Sequence, residues 1–217
     1  VQPLEMTAAF NVFANEGIYA EPISILKIVD KDGNILEEDK PKLHEVISKQ
    51  TAYILTTMME DAVNGGTGTR VRNFFHRPCA GKTGTTQEYA DAWYMGFTPQ
   101  LTVGVWVGFD NKAIHFVSAD GQGGRAAAPI FGRFAEYVYE DKSIGLPLEY
   151  FQQPEGVVRK EICNETKKLA TQFCTDVYEE VFNEKYLPEN CDVHTSKQIN
   201  VVSLQCLVAL VKHILAT

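Results

Sequence analysis

Seven consecutive residues, Ala80-Gly81-Lys82-Thr83-Gly84-Thr85-Thr86, concentrate groups able to do chemistry: one ammonium, three hydroxyls and two glycines. Lysine brings a positive charge with three donors, and each threonine a hydroxyl that both donates and accepts. Glycine, lacking a Cβ, lets the backbone come close to a ligand. Such a stretch is suited to hold an anionic group against a strand edge. Two chemistries compete for it.

The first is phosphate binding, because Gly81-Lys82-Thr83 matches the end of a phosphate-loop signature. That signature needs a further glycine five positions earlier, where His76 stands, and the Phe74-Phe75-His76-Arg77-Pro78 run is unsuited to a backbone nest. A phosphate loop must also open into a helix whose N-terminus faces the phosphate. Here Trp93-Tyr94-Met95-Gly96-Phe97, a Pro99-Gln100 turn and Leu101-Thr102-Val103-Gly104-Val105-Trp106-Val107-Gly108 follow, with apolar residues on alternate positions. Alternation of that kind marks strands. A nucleotide-binding protein is disfavoured on this ground.

The second is acyl transfer. Lys-Thr-Gly on a strand that leads into a hairpin is the third motif of the serine acyl-transferases inhibited by penicillin. The extended pattern carries more information than the tripeptide. Gly81-Lys82-Thr83-Gly84-Thr85-Thr86, then Asp91-Ala92-Trp93-Tyr94-Met95-Gly96-Phe97-Thr98-Pro99, then Val105-Trp106-Val107-Gly108, closely resembles the transpeptidase domain of bifunctional (class A) penicillin-binding proteins, over about Pro3 to Tyr139. The resemblance implies an α+β chain, part of the penicillin-binding transpeptidase or serine β-lactamase-like fold, with an antiparallel sheet flanked by helices.

It also implies roles. Lys82 sets the positive potential of the cleft, assists proton transfer and helps hold the terminal carboxylate of the substrate. The Thr83 and Thr85 hydroxyls bind that carboxylate, and the Thr85 N–H forms half of an oxyanion hole. Gly84 lets the acyl chain lie along the strand, and Thr86 is a further contact. The partners implied are peptidoglycan stem peptides or their lipid-linked precursor, with β-lactams as inhibitors; no cofactor is implied. Such an enzyme uses a serine nucleophile with lysine three residues later, at a helix N-terminus, and a Ser-x-Asn motif beside it. Only Ser24-Ile25-Leu26-Lys27 matches the first, inside an expected hairpin strand, and nothing matches the second. The nucleophile and the anchor to the extracytoplasmic face of a bacterial inner membrane are therefore expected upstream, and the fragment alone is expected to be inactive. The alternative is a non-catalytic binding or assembly module with the same fold.

The elements that position these groups follow from pattern. A chain of 217 residues buries a sizeable core, and a net charge of −8 without basic runs argues against a nucleic-acid partner. Pro3 to Asn15 reads as a helix, and Ile23–Val29 with Asn34–Glu37 as a hairpin turned at Asp30-Lys31-Asp32-Gly33. Ser48 caps a helix through Asn64, with Tyr53, Leu55, Met58, Met59 and Val63 as its apolar face. The Gly65-Gly66-Thr67-Gly68-Thr69 run reads as a structural helix stop, although the resemblance implies that its Gly-Thr-Gly lies below the active-site rim, and Asp91 reads as a turn residue. Gly121–Gly124 reads as a flexible loop before a helix carrying Ile130, Phe131, Phe134, Ala135 and Val138, and Arg125 as a solvated residue.

The resemblance implies that residues 1–141 form the C-terminal portion of the transpeptidase domain, and the punctuation of the chain suggests a linker at 142–154, a cysteine-bearing extension at 155–198 and an apolar tail at 199–217 read as a docking helix. In the extension, Cys163, Cys174, Cys191 and His194 pose a choice between disulfide, free thiols and zinc. Zinc ligands usually come as two tight pairs, and only Cys191-x2-His194 is tight. The ranking is therefore disulfide first, free thiols second and metal last.

Overall fold

The computed structural model describes residues 2–111 and 113–195, so the expected helix at 199–217 lies outside the described residues. The chain divides into two compact units, Val1–Val157 and Val158–Thr217.

The first unit begins with α1 (Pro3–Ala14), whose proline occupies the first turn, where its missing N–H costs nothing. The short strand β1 (Ile18–Ala20) precedes a hairpin of β2 (Lys27–Val29) and β3 (Ile35–Glu38), and β4 (Leu43–Glu45) returns to pair antiparallel with β1. The hairpin tip is fastened by Asp30, whose Oδ1 accepts from the N–H groups of Asp32 and Asn34 at 2.8 Å each. The strand expected from Ile23 begins only at Lys27, because its partner ends at Glu38, opposite Lys27. Ser24 accordingly lies in an irregular exposed segment. It is neither in the strand nor at a helix start.

In α2 (Lys49–Asn64), the Ser48 hydroxyl accepts from the Thr51 N–H at 3.2 Å, as an N-cap should. Its buried face differs from the expected one. Ala52, Thr56 and Val63 are inside, whereas Leu55 and Met58 are exposed. Small residues let the helix approach the sheet closely, and the longer side chains fall on the far side. A 3-10 turn at Thr69–Asn73 leads into the central sheet.

That sheet is the expected antiparallel meander, β5 (Ala80–Thr85), β6 (Asp91–Phe97) and β7 (Thr102–Gly108), in that spatial order. The register pairs Lys82 with Met95, Thr83 with Tyr94 and Gly84 with Trp93. The β6–β7 turn is closed by the Thr98 hydroxyl, which accepts from the N–H of Leu101 at 3.0 Å and lies 2.6 Å from the Tyr139 hydroxyl. The region expected to be a flexible glycine loop instead starts α3 (Gly123–Ala126), followed by α4 (Ala128–Glu140). Gly123 must be glycine, since a Cβ there would lie 2.3 Å from the Trp93 carbonyl and 2.4 Å from that of Gly84. On α4, Phe131 and Ala135 are buried as expected, but Ile130 and Phe134 are exposed, and Gly132 and Tyr139 complete the inner face.

The core lies between the sheet, α2 and α4, built from Val63, Val71, Phe75, Cys79, Tyr94, Phe131, Ala135 and Tyr139. Tyr94 and Phe131 pack with ring centroids 5.2 Å apart. Burial pushes the Cys79 thiol up to about 11 and keeps the Tyr94 phenol protonated well above its usual range.

The second unit is built on β8 (Val157–Cys163), paired with β9 (Val177–Asn183). Leu169 bridges antiparallel to Ile162 and parallel to Asn190, drawing the two ends of the unit together. Among the described residues of this unit, Ile162, Cys163, Val181 and Cys191 are the buried apolar ones. Cys79, Cys163, Cys174 and Cys191 are all free, so the disulfide ranked first on sequence grounds does not form among the described residues.

Candidate functional site

The chemistry-bearing stretch occupies β5, the edge strand of the central sheet. Side chains alternate between the two faces of a strand, so Lys82 and Gly84 lie on one face and Thr83 and Thr85 on the other. The N–H of Thr86 donates to the Asp91 carbonyl at 3.1 Å. Successive N–H groups alternate in direction, so those of Thr83 and Thr85 point away from β6, into the open edge.

On the Thr83–Thr85 face a groove of about 450 Å³ is lined by Thr67, Arg70, Thr83, Thr85, Gln122 and Arg125, among others. The hydroxyls of Thr67 and Thr83 are 2.7 Å apart. The Thr85 hydroxyl accepts from the Gly123 N–H at 3.0 Å, leaving its own proton to donate. Arg125 is held by Asp120 at 3.3 Å. Tyr89 also lines this groove, and it and Glu88 both lie in the left-handed region, with φ of 57° and 58°. Two adjacent non-glycine residues there cost energy that the surrounding turn must sustain.

On the opposite face a smaller hollow of about 290 Å³ is lined by Lys82 with Met6, Phe10, Trp93 and Met95. The exposed Lys82 ammonium donates to the Thr83 carbonyl at 2.9 Å. The predicted residues are thus gathered on one strand but divided between two faces. Thr86 lines the same hollow as Lys82 and Gly84; its hydroxyl accepts from the Asp91 N–H at 2.8 Å and faces the Asp91 carboxylate at 3.3 Å, at the end of β5. Asp91, expected in a turn, instead opens β6 opposite Gly108, and its carboxylate accepts from the Trp106 indole at 2.8 Å. A cavity of about 810 Å³ is lined by residues of α1 and α2 and by residues 149–155, Lys49, Gln50 and Tyr53 among them, and no residue of β5 lines it.

Sequence reading missed Arg70 and preferred structural or solvated roles for Thr67 and Arg125. Thr67 was read as part of a helix stop and Arg125 as solvated, yet both line the groove. The legible hint was the pair of hydroxyls flanking Gly68, followed at once by Arg70. Gly81 also differs from its reading: a Cβ there would lie 2.3 Å from the Tyr94 hydroxyl, so this glycine serves the core and not a ligand.

The second unit brings its candidate residues together. The Sγ atoms of Cys163, Cys174 and Cys191 and a ring nitrogen of His194 all lie within 4.8 Å of one another. The N–H of His194 and the Thr166 hydroxyl hold the Cys191 thiol down to about 6, Thr166 lowers that of Cys163, and burial raises that of Cys174.

With this geometry in place, comparison with known proteins is informative. The family model for the penicillin binding protein transpeptidase domain matches residues 1–136, and that for the penicillin-binding protein 1A C-terminal domain matches residues 153–196. Penicillin-binding protein 1A of Clostridium novyi is 32% identical over 205 residues, covering 90% of this chain and 22% of that protein. Its namesake from Aquifex aeolicus is 40% identical over 161 residues, covering 73% of this chain and 21% of that protein. The crystal structure of penicillin-binding protein 1A from Haemophilus influenzae superposes with a TM-score of 0.78 at 26% identity, over 89% of this chain and 33% of that one. The chain therefore spans about a fifth of the length of these two relatives. Among the described residues no helix is long and apolar enough to cross a membrane. A model match over residues 1–136, with a meander and edge strand of the expected kind, means that this chain belongs to the penicillin-binding protein transpeptidase family.

Proposed function

We propose that the chain is part of a peptidoglycan DD-transpeptidase, supplying one wall of its acyl-transfer cleft. The observation that carries this reading is the open edge of β5, with the Thr85 N–H directed outward between Lys82 on one face and the Thr83 and Thr85 hydroxyls on the other. An extended peptide can add to such an edge as a strand, with its backbone paired and its terminal carboxylate beyond. On this reading Thr83 and Thr85 hold the carboxylate, with Arg70 and Arg125 supplying positive charge to the groove they share. Gly84 leaves room for the acyl chain, and Thr86 with Asp91 fixes the turn that ends the strand.

The reaction begins with a serine oxygen attacking the carbonyl between two D-alanines. The negative charge that develops on the carbonyl oxygen is met by the Thr85 N–H and the serine's own N–H; one such donor is worth about 10²–10³ in rate. The terminal D-alanine leaves as an amine, and an amine of a neighbouring stem peptide then takes the acyl group. Lys82, on the other face, favours the proton transfers by its positive field. A β-lactam acylates the same serine. That serine comes from outside these 217 residues, as does the membrane anchor on the extracytoplasmic side. Residues 1–141 form the cleft-bearing portion, 142–154 the linker and 155–198 the extension.

In the full-length protein, Lys82→Ala is expected to lose most acylation by a fluorescent penicillin while unfolding at an unchanged temperature. Undiminished labelling would remove the role given to Lys82. The isolated 217-residue chain is expected not to be labelled at all; covalent labelling would place the nucleophile within it, with Ser24 the first to test. Failure of the intact, folded protein to be acylated would favour the non-catalytic binding module.

A further inference from the structure

The acyl-transfer reading makes no use of four donors in the second unit. Cys163 closes β8, Cys174 lies in the turn after Thr171, and Cys191 and His194 come from the segment after β9. The Sγ atoms of Cys163 and Cys191 stand 3.3 and 3.4 Å from Nδ1 of His194, and all four ligand atoms fall within 4.8 Å of one another. A tetrahedral zinc ion, with Zn–S of about 2.3 Å and Zn–N of about 2.0–2.1 Å, sets its donors about 3.5–3.8 Å apart. The two sulfur–nitrogen distances are close to that, and the widest separation in the cluster is within about 1 Å of it.

We propose that Cys163, Cys174, Cys191 and His194 form a structural zinc site, holding Zn²⁺ through three thiolates and the Nδ1 of the imidazole. Four protein ligands leave no open position for water or substrate, so the ion has a folding role and not a catalytic one. Binding displaces the thiol protons to solvent, up to three per ion.

Three features favour a metal over a disulfide or idle thiols. First, a disulfide would use two of the three sulfurs and leave the third, with the imidazole, facing it; a tetrahedral ion uses all four donors. Second, His194 is oriented for ligation. Its Nε2 faces the Glu165 carboxylate at 3.2 Å, which fixes the proton on Nε2 and turns the Nδ1 lone pair toward the sulfurs. A carboxylate behind a ligating histidine is the usual outer partner of a zinc site. The ligand loops are tied in the same way. The Thr171 hydroxyl donates to the His194 carbonyl at 3.0 Å, and the Thr171 N–H to Cys174 Sγ at 3.4 Å. Third, the unit is short of core, with Ile162 and Val181 the only buried aliphatic residues described beyond Val157. A unit of about 60 residues rarely draws enough stability from an apolar core alone, and disulfides, metals or association usually supply the rest.

The sequence spacing hid this arrangement. Cys163-x10-Cys174-x16-Cys191 offers no second tight pair, but the β8–β9 pairing and the double bridge at Leu169 fold the long intervals out of the way.

The test is to purify the 217-residue chain without added metal, measure zinc by plasma emission, and replace it with cobalt(II). One equivalent of zinc per chain is expected, released by a mercurial. The cobalt form should show the intense visible absorption of a tetrahedral ion and a thiolate-to-cobalt charge-transfer band. Cys191→Ser and His194→Gln should each lower zinc retention at least tenfold, whereas His194→Cys, which restores four donors, should keep the metal. The cobalt spectrum of the unaltered chain decides the matter even if the variants fail to fold. A mass two hydrogens light with no zinc would overturn the proposal in favour of a disulfide. So would free thiols that take up neither zinc nor cobalt from an equimolar solution.

Discussion

Along β5 the polar groups fan outward. Lys82 leaves by one face, the Thr83 and Thr85 hydroxyls by the other, and the Thr85 N–H by the edge between them. In the second unit four donors converge on a single point within 4.8 Å. The first arrangement satisfies its groups only in part and leaves the Thr85 N–H turned to the exterior, which is how a site awaits something that comes and goes. The second consumes its donors internally, which is how a site keeps what it holds. Open and closed donor sets also fail differently. Removing a group from the edge should cost function and little stability, and removing one from the cluster should cost the fold of its unit.

The sharpest way to break that contrast is to chelate the zinc proposed for the second unit. Amide hydrogen exchange is then expected to lose all slow protons between residues 158 and 195, while β5 to β7 keep theirs. Equal loss in both units, or none in either, would abolish the distinction. Next in size is Gly81→Ala, which drives a methyl into the Tyr94 hydroxyl beneath the strand. Overpacking of this kind costs about 1–3 kcal/mol, to be read from urea denaturation of the first unit. The smallest effect is expected at the edge itself. Lys82→Ala should change the same urea midpoint by no more than about 0.5 kcal/mol equivalent, as for an exposed residue outside the core. A larger loss would mean that Lys82 is part of the scaffold.

The meander could be read from the sequence because Leu101 to Val107 alternate cleanly and a Pro99-Gln100 turn separates the strands. The pairing of β1 with β4 could not, since three-residue strands separated by an entire hairpin carry too few side chains to show a period. The faces of α2 and α4 were misjudged for a shared reason. A close approach buries small residues such as Ala52 and Thr56 of α2, and Gly132 of α4 against the Val71 backbone, beside the larger Val63, Phe131 and Tyr139, while Leu55, Met58, Ile130 and Phe134 fall outside. Gly123 shows the same effect at its limit, where backbone meets backbone and a glycine that looks flexible in sequence is fixed by contact. Within the site, Lys82, Thr83 and Thr85 were legible as a local pattern. Thr67, Arg70 and Arg125 reach the groove only through tertiary folding, and no spacing within the motif announces them.

The unpaired side of β5 has a further consequence, for the behaviour of the chain in concentrated solution. A strand edge with outward N–H groups accepts any extended backbone, including that of a neighbouring copy, and sheet proteins commonly guard such edges with charge. Lys82, exposed in the middle of β5, is placed to repel its own counterpart when two edges approach. The residue proposed to favour acyl transfer would then also protect the chain against self-pairing, so its loss would expose the sheet to growth from one molecule to the next.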